Sequence, residues 1–208
     1  MGGSSSKGVK PKAGDVIILL IGPPGAGKST FLKEAAPEAK DVKIGCTLAV
    51  GTEAVQPVEA PKLKLSKSRV ILVDTPALNS GRTGNVEVDI LNHMQKWMSQ
   101  AKNANLKITG LLYFHKITDT RLNESFSLHY GTLQALLPSD DTHRAMLVTT
   151  MWPHPEVADA RYQKYVNREE ALQQRWQSIG PPDSVVRFRK THVSAKEVVH
   201  GLLTLSNR

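Results

Sequence analysis

Residues 15–30 run Asp-Val-Ile-Ile-Leu-Leu-Ile-Gly-Pro-Pro-Gly-Ala-Gly-Lys-Ser-Thr, and few folds can absorb such a stretch. Val16 to Ile21 are apolar without a break, which fits a strand buried on both faces. Gly22-Pro23-Pro24-Gly25-Ala26-Gly27-Lys28-Ser29 then satisfies G-x-x-x-x-G-K-[ST] at every position. Thr30 and Phe31 to Ala36 continue as a helix start. In that order the three pieces make a phosphate cradle, because successive main-chain amides at a helix N-terminus converge on an anion. The glycines let the backbone approach without a Cβ in the way. Pro23 and Pro24 have no N–H to offer and are expected on the outer arc. Lys28 is expected on the β- and γ-phosphates of a nucleoside triphosphate, stabilising charge during transfer, and the Ser29 hydroxyl on Mg²⁺. A plain Gly/Pro turn would explain the loop alone, but not its strand and helix context.

The chain has 208 residues, the size of one ordinary domain, and 40% are hydrophobic, enough for a real core. Residues 1–12, rich in Gly, Ser and Lys, are expected as a disordered tail, and 13–208 as a single domain. Gly2 with Ser6 fits a loose myristoylation pattern, although a flexible tail explains the same residues. No apolar run reaches the length of a membrane span, so no transmembrane segment is expected. Cys46 is the only cysteine, which fits a reducing compartment and a cytoplasmic location. The net charge is +8, but the cations are spread out, with Lys62, Lys64, Lys67 and Arg69 in one place and Arg187, Arg189 and Lys190 in another. No RNA-binding motif accompanies them, so they read as solvated faces and no nucleic-acid partner is expected.

Further along, Arg69 to Asp74, Thr109 to His115 and Ala145 to Thr149 read as buried strands, with Val185 to Phe188 as a short one. Edge-strand pieces fall between Thr52 and Leu65. Helical spacing marks Val86 to Ala104, Asn123 to Leu137, Pro155 to Ile179 and Ser194 to Leu205. Strands alternating with helices predict an α/β fold, a mostly parallel central sheet with helices on both faces. Asp74 ends a buried strand before Thr75-Pro76, where an open sheet collects its ligands, and a carboxylate there can hold Mg²⁺. Thr47, in the loop between the first helix and the edge strand, can place its hydroxyl on Mg²⁺ and its N–H on the γ-phosphate. His143, His154, His192, His200 and Cys46 lack metal-ligand spacing, so no zinc site is expected.

These pieces together resemble the G domain of the small-GTPase superclass. The residues that carry the likeness are Gly22 to Ser29, Cys46-Thr47, Ile71 to Pro76, Leu112 to Arg121, Val148 to Trp152 and Ser194-Ala195-Lys196. The segments Ile117-Thr118-Asp119-Thr120-Arg121 and Thr149-Thr150-Met151-Trp152 look most like fungal G-domain proteins of the AIG- and septin-like (TRAFAC) kind. The resemblance implies a three-layer P-loop fold and Mg²⁺-dependent hydrolysis of GTP to GDP. It implies loops that respond to the γ-phosphate, and two copies pairing across the nucleotide face. It puts Thr150 and Trp152 beside the nucleotide, with Trp152 a candidate to stack on the base. It puts the Ala195 N–H, next to Ser194, on guanine O6. Arg121 sits near where septin-like proteins reach a neighbouring subunit's nucleotide, and with Arg82 is a candidate to assist catalysis, although Arg82 reads more simply as a surface arginine.

The chain departs from that pattern in two places. Ala77 stands where the family has a glycine after Asp-Thr-Pro. Pro153 stands where family members carry the Asp that accepts from guanine N1 and N2. ATP, or mixed purine use, therefore stays open as an alternative to GTP. No Gln follows Asp74-Thr75-Pro76-Ala77 to position a water, so intrinsic turnover is expected to be slow. Two other readings compete with a hydrolase: a nucleotide-gated binding module without turnover, and a small-molecule kinase with Arg161 to Arg175 as its lid.

Overall fold

The computed structural model describes residues 9–39, 55–63, 68–78, 86–120, 129, 131–133, 136, 144–153 and 160–205. Its strands are β1 (Val16–Ile21), β2 (Gln56–Glu59), β3 (Val70–Asp74), β4 (Ile108–Lys116), β5 (Ala145–Thr150) and β6 (Val185–Arg187). Its helices are α1 (Lys28–Ala35), α2 (Val86–Asn103), α3 (Ala160–Trp176) and α4 (His192–Leu205). The six strands form one sheet in the order β2-β3-β1-β4-β5-β6. All pairings are parallel except β2 against β3. β2 carries Pro57, a residue that a sheet interior excludes and an edge tolerates.

Because strand side chains alternate, the unbroken apolar run of β1 serves two cores at once. Ile18 and Leu20, with Leu112, Phe114, Met146 and Val148, face a layer built from Phe31 and Leu32 of α1 and Val198 and Leu202 of α4. Ile17, Leu19 and Ile21, with Leu111, Tyr113 and Leu147, face Met94 of α2 and Leu172 and Trp176 of α3. The three layers follow, as expected. On the first face the Phe31 ring meets Phe114 and Phe188 edge-on at 5.1 and 5.2 Å, which fixes α1 against β4 and the end of β6.

Two expectations move. Residues 9–12, expected in a disordered tail, are placed: Val9 packs against the second core and Arg69 Nη2 donates to Lys10 O. The last helix begins at His192, two residues before the expected Ser194. Thr191 is the reason. Its Oγ1 accepts from Ser194 N at 3.1 Å, and Ser194 Oγ accepts in return from Thr191 N, a reciprocal cap that starts the helix there. The helix expected over Asn123 to Leu137 lies largely outside the described residues, although His129, Thr132, Leu133 and Leu136 are buried against the second face.

Candidate functional site

The parallel strands bring their C-terminal ends to one edge of the sheet, where α/β folds bind ligands. At its centre, Gly22 to Gly27 join β1 to α1. Gly22 sits at φ 149°, and a Cβ there would lie 2.5 Å from Phe114 O, so no side chain fits between loop and β4. Gly27, the N-cap of α1, is left-handed at φ 94°. Lys28 lies buried beneath the loop and donates from Nζ to Gly22 O at 2.7 Å and Pro23 O at 3.1 Å. Burial pulls its pKa down to about 8, against the opposing pull of the Asp74 carboxylate. Pro24 and Gly25 are exposed, as an outer arc should be, but Pro23 is buried. It is there for its carbonyl, which accepts from both Lys28 Nζ and Ala26 N.

Asp74 ends β3 in register with Leu20, beneath the loop and 2% exposed. The turn after it is tied back to β1 and the loop. Thr75 Oγ1 donates to Leu20 O at 2.7 Å, and Leu78 N donates to Gly22 O at 3.1 Å. Ser29 and Thr30 stand in the first turn of α1. A serine hydroxyl and a carboxylate are the hard oxygen donors that Mg²⁺ takes. Thr47, Arg121 and Cys46 lie outside the described residues.

Beside the loop, β4 contributes His115, fully buried, with neither ring nitrogen bonded among the described residues. His129, also fully buried, shares a 2.7 Å hydrogen bond through Nδ1 with the Tyr113 hydroxyl. Burial pushes both imidazoles down to about 4, so both are neutral at neutral pH. The charge of Lys28 and the neighbouring His115 push His129 the same way.

The other end of the site is built by β5, β6 and α3. Thr150 Oγ1 donates to Ala26 O at 2.8 Å, so this residue braces the loop from below. Trp152 Nε1 donates to Thr149 Oγ1 at 3.0 Å, and the Arg187 guanidinium lies 3.9 Å over the Trp152 ring. Arg187 is held flat by Glu169, 2.8 Å from its Nε, and by the Tyr162 hydroxyl. One face of Trp152 is therefore taken by Arg187, which limits the base stacking expected of it. Sequence reasoning missed this network, because Arg187 is far from Trp152 in the chain and carries no motif of its own. Ser194 and Ala195 do not take up the expected base-reading position. Both are buried inside α4, and Ala195 N donates to Thr191 O at 3.0 Å, within the helix. The loop that meets the ligand edge is instead Phe188 to Thr191, with Lys190 left-handed at φ 54°. Between it and Trp152–Pro153 opens a pocket of about 550 Å³.

A family model described as 50S ribosome-binding GTPase matches residues 17–148. Among solved structures, Toc33 from Arabidopsis thaliana in complex with Mg²⁺ and GMPPNP is 14% identical, with a TM-score of 0.65, over 93% of this chain and 85% of that one. Aquifex aeolicus Era bound to GDP and AlF4⁻ is 12% identical, with a TM-score of 0.60, over 91% of this chain and 56% of that one. The FeoB G-domain from Methanococcus jannaschii is 14% identical, with a TM-score of 0.51, over 93% and 99%. At such identities these neighbours speak to the fold. No curated protein matches the sequence significantly.

Proposed function

The chain belongs to the GTPase family described as 50S ribosome-binding GTPase, and on that footing we propose that it hydrolyses GTP to GDP and phosphate with Mg²⁺ as cofactor. The observation that carries the reading is Lys28 folded beneath its own loop, its ammonium held by two loop carbonyls. Those carbonyls are neutral partners, so an arriving phosphate outcompetes them and the lysine swings onto the β- and γ-oxygens. The amides of the loop and of the first turn of α1, Ser29 and Thr30 included, complete the cradle. Ser29 and Asp74, joined by Thr47, would hold the Mg²⁺, which would supply positive charge to offset that of the phosphate oxygens.

The Leu78 N–H on Gly22 O and the Thr75 hydroxyl on Leu20 O tie the segment after β3 to the loop, so phosphate occupancy is felt in that segment. Thr150 supports binding through the loop carbonyl rather than by touching the nucleotide. Arg121 is the candidate to assist from the segment after β4, within one copy or across a homodimer at the nucleotide face. GTP is preferred over ATP on the strength of the family, and the protein acts in the cytoplasm. Among the described residues no helix is long and apolar enough to cross a membrane.

Steady-state phosphate release tests the reading: GTP turnover that requires Mg²⁺ and vanishes in Lys28→Ala supports it. Saturable GTP binding without release above the Lys28→Ala background would leave a nucleotide-gated binding module in its place.

A further inference from the structure

Resting on the GTPase reading, we propose that this protein recognises the 6-oxo group of the purine, through Arg187 and its neighbours, and ignores the 2-amino group of guanine. The pocket between Trp152–Pro153 and Arg189–Lys190 opens at the C-terminal ends of β5 and β6. β5 lies two strands from β1 in the sheet, roughly 10 Å from the phosphate loop at ordinary strand spacing. A nucleotide spans that distance between its phosphates and its base, and the Thr150 bond to Ala26 O fixes one end to the other.

The chemistry of the lining then decides what can be read. Guanine offers O6 and N7 as acceptors, and the N1–H and N2 amino groups as donors. The side chains of Arg187, Arg189 and Lys190 only donate. Pro153 offers no side-chain acceptor, and the Tyr162 hydroxyl already accepts from Arg187. No carboxylate lines the pocket among the described residues: Glu169 is engaged from behind by Arg187 and Thr149. Arg187 is the fixed member. Stacked on Trp152 and clamped by Glu169 and Tyr162, it presents its remaining N–H groups in a set plane. Such a set pairs with an oxo oxygen, meets the 6-amino group of adenine donor to donor, and gains nothing from the 2-amino group of guanine.

Competition binding of GTP, inosine triphosphate and ATP, in Mg²⁺, against a fluorescent guanine nucleotide tests this. The expected result is GTP and inosine triphosphate within about fivefold of each other, and ATP weaker than both by more than about fivefold, the ratio that roughly 1 kcal/mol of hydrogen bonding supplies. Pro153→Asp restores an acceptor and should move the preference toward GTP over inosine triphosphate by about tenfold. A wild-type preference for GTP over inosine triphosphate beyond about fivefold, ATP bound as tightly as GTP, or an unmoved Pro153→Asp would each overturn the proposal while leaving the GTPase reading in place. If no nucleotide binds at all, it is the underlying reading that fails.

Discussion

The two ends of this site are built on opposite plans. The phosphate end is main chain: Gly22, where a Cβ would run into the Phe114 carbonyl, two loop carbonyls on one buried lysine, and α1 locked down by Phe31. The base end is side chain: Arg187 on Trp152, Glu169 and Tyr162 around it, and a proline where an acidic reader is expected. A backbone cradle accepts any polyphosphate and tolerates almost no substitution. A side-chain pocket can be rewritten one residue at a time.

The largest effects are expected at the phosphate end. Lys28→Ala should lower GTP turnover by about two to three orders of magnitude, read by phosphate release, because one preorganised charge at the transferring group is lost. Gly22→Ala should cost about 3 kcal/mol of stability in urea unfolding, since its Cβ meets the Phe114 carbonyl in a backbone conformation that alanine avoids. A normal unfolding midpoint for that variant would show that the loop is not packed against β4 as described.

The seam between the ends is pH-sensitive. His115 and His129 titrate near 6.5 in the unfolded chain and near 4 when folded. Between those values the unfolded chain binds protons that the folded one refuses. Stability from these groups is therefore complete above about pH 6.5, falls as pH drops toward 4, and falls no further below it. Roughly 5 kcal/mol should disappear between pH 7 and 4.5, measured by urea unfolding, and His115→Phe should flatten the slope. Lys28 works in the other direction. Its pKa is about 8 in the free protein, and a bound phosphate raises it. GTP affinity should stay level up to about pH 8 and then drop by about tenfold per pH unit, as the free lysine loses the proton that binding requires. Affinity unchanged at pH 9.5 would mean that the lysine is not on the phosphates.

The smallest effect is expected where the two ends touch. Thr150→Val removes the hydroxyl that holds Ala26 O, and should weaken nucleotide binding by about 1 kcal/mol without abolishing it. A loss as large as that of Lys28→Ala would instead put Thr150 in direct contact with the nucleotide.

Legibility followed the same division. The phosphate end was readable because its requirements are local: an apolar strand, glycines at fixed spacing, a lysine, then a helix. Asp74 was readable from its place at a strand end. Pro23 was misplaced because the sequence shows its missing N–H, not the use made of its carbonyl. At the base end, the Ser-Ala-Lys likeness at 194–196 implies an Ala195 N–H free to meet guanine O6, but the Thr191 cap starts the helix earlier and commits that N–H to it. Arg187 carries no local signal. Its role comes from Trp152 and Glu169, which the fold brings to it from two other elements.

The central claim is that the loop and Lys28 grip the polyphosphate of a magnesium-bound guanine nucleotide. Calorimetric titration of the folded protein with a non-hydrolysable GTP analogue tests it most directly. One saturable site per chain is expected, weaker without Mg²⁺ and lost in Lys28→Ala; a flat titration from folded wild-type protein would mean that no such grip exists.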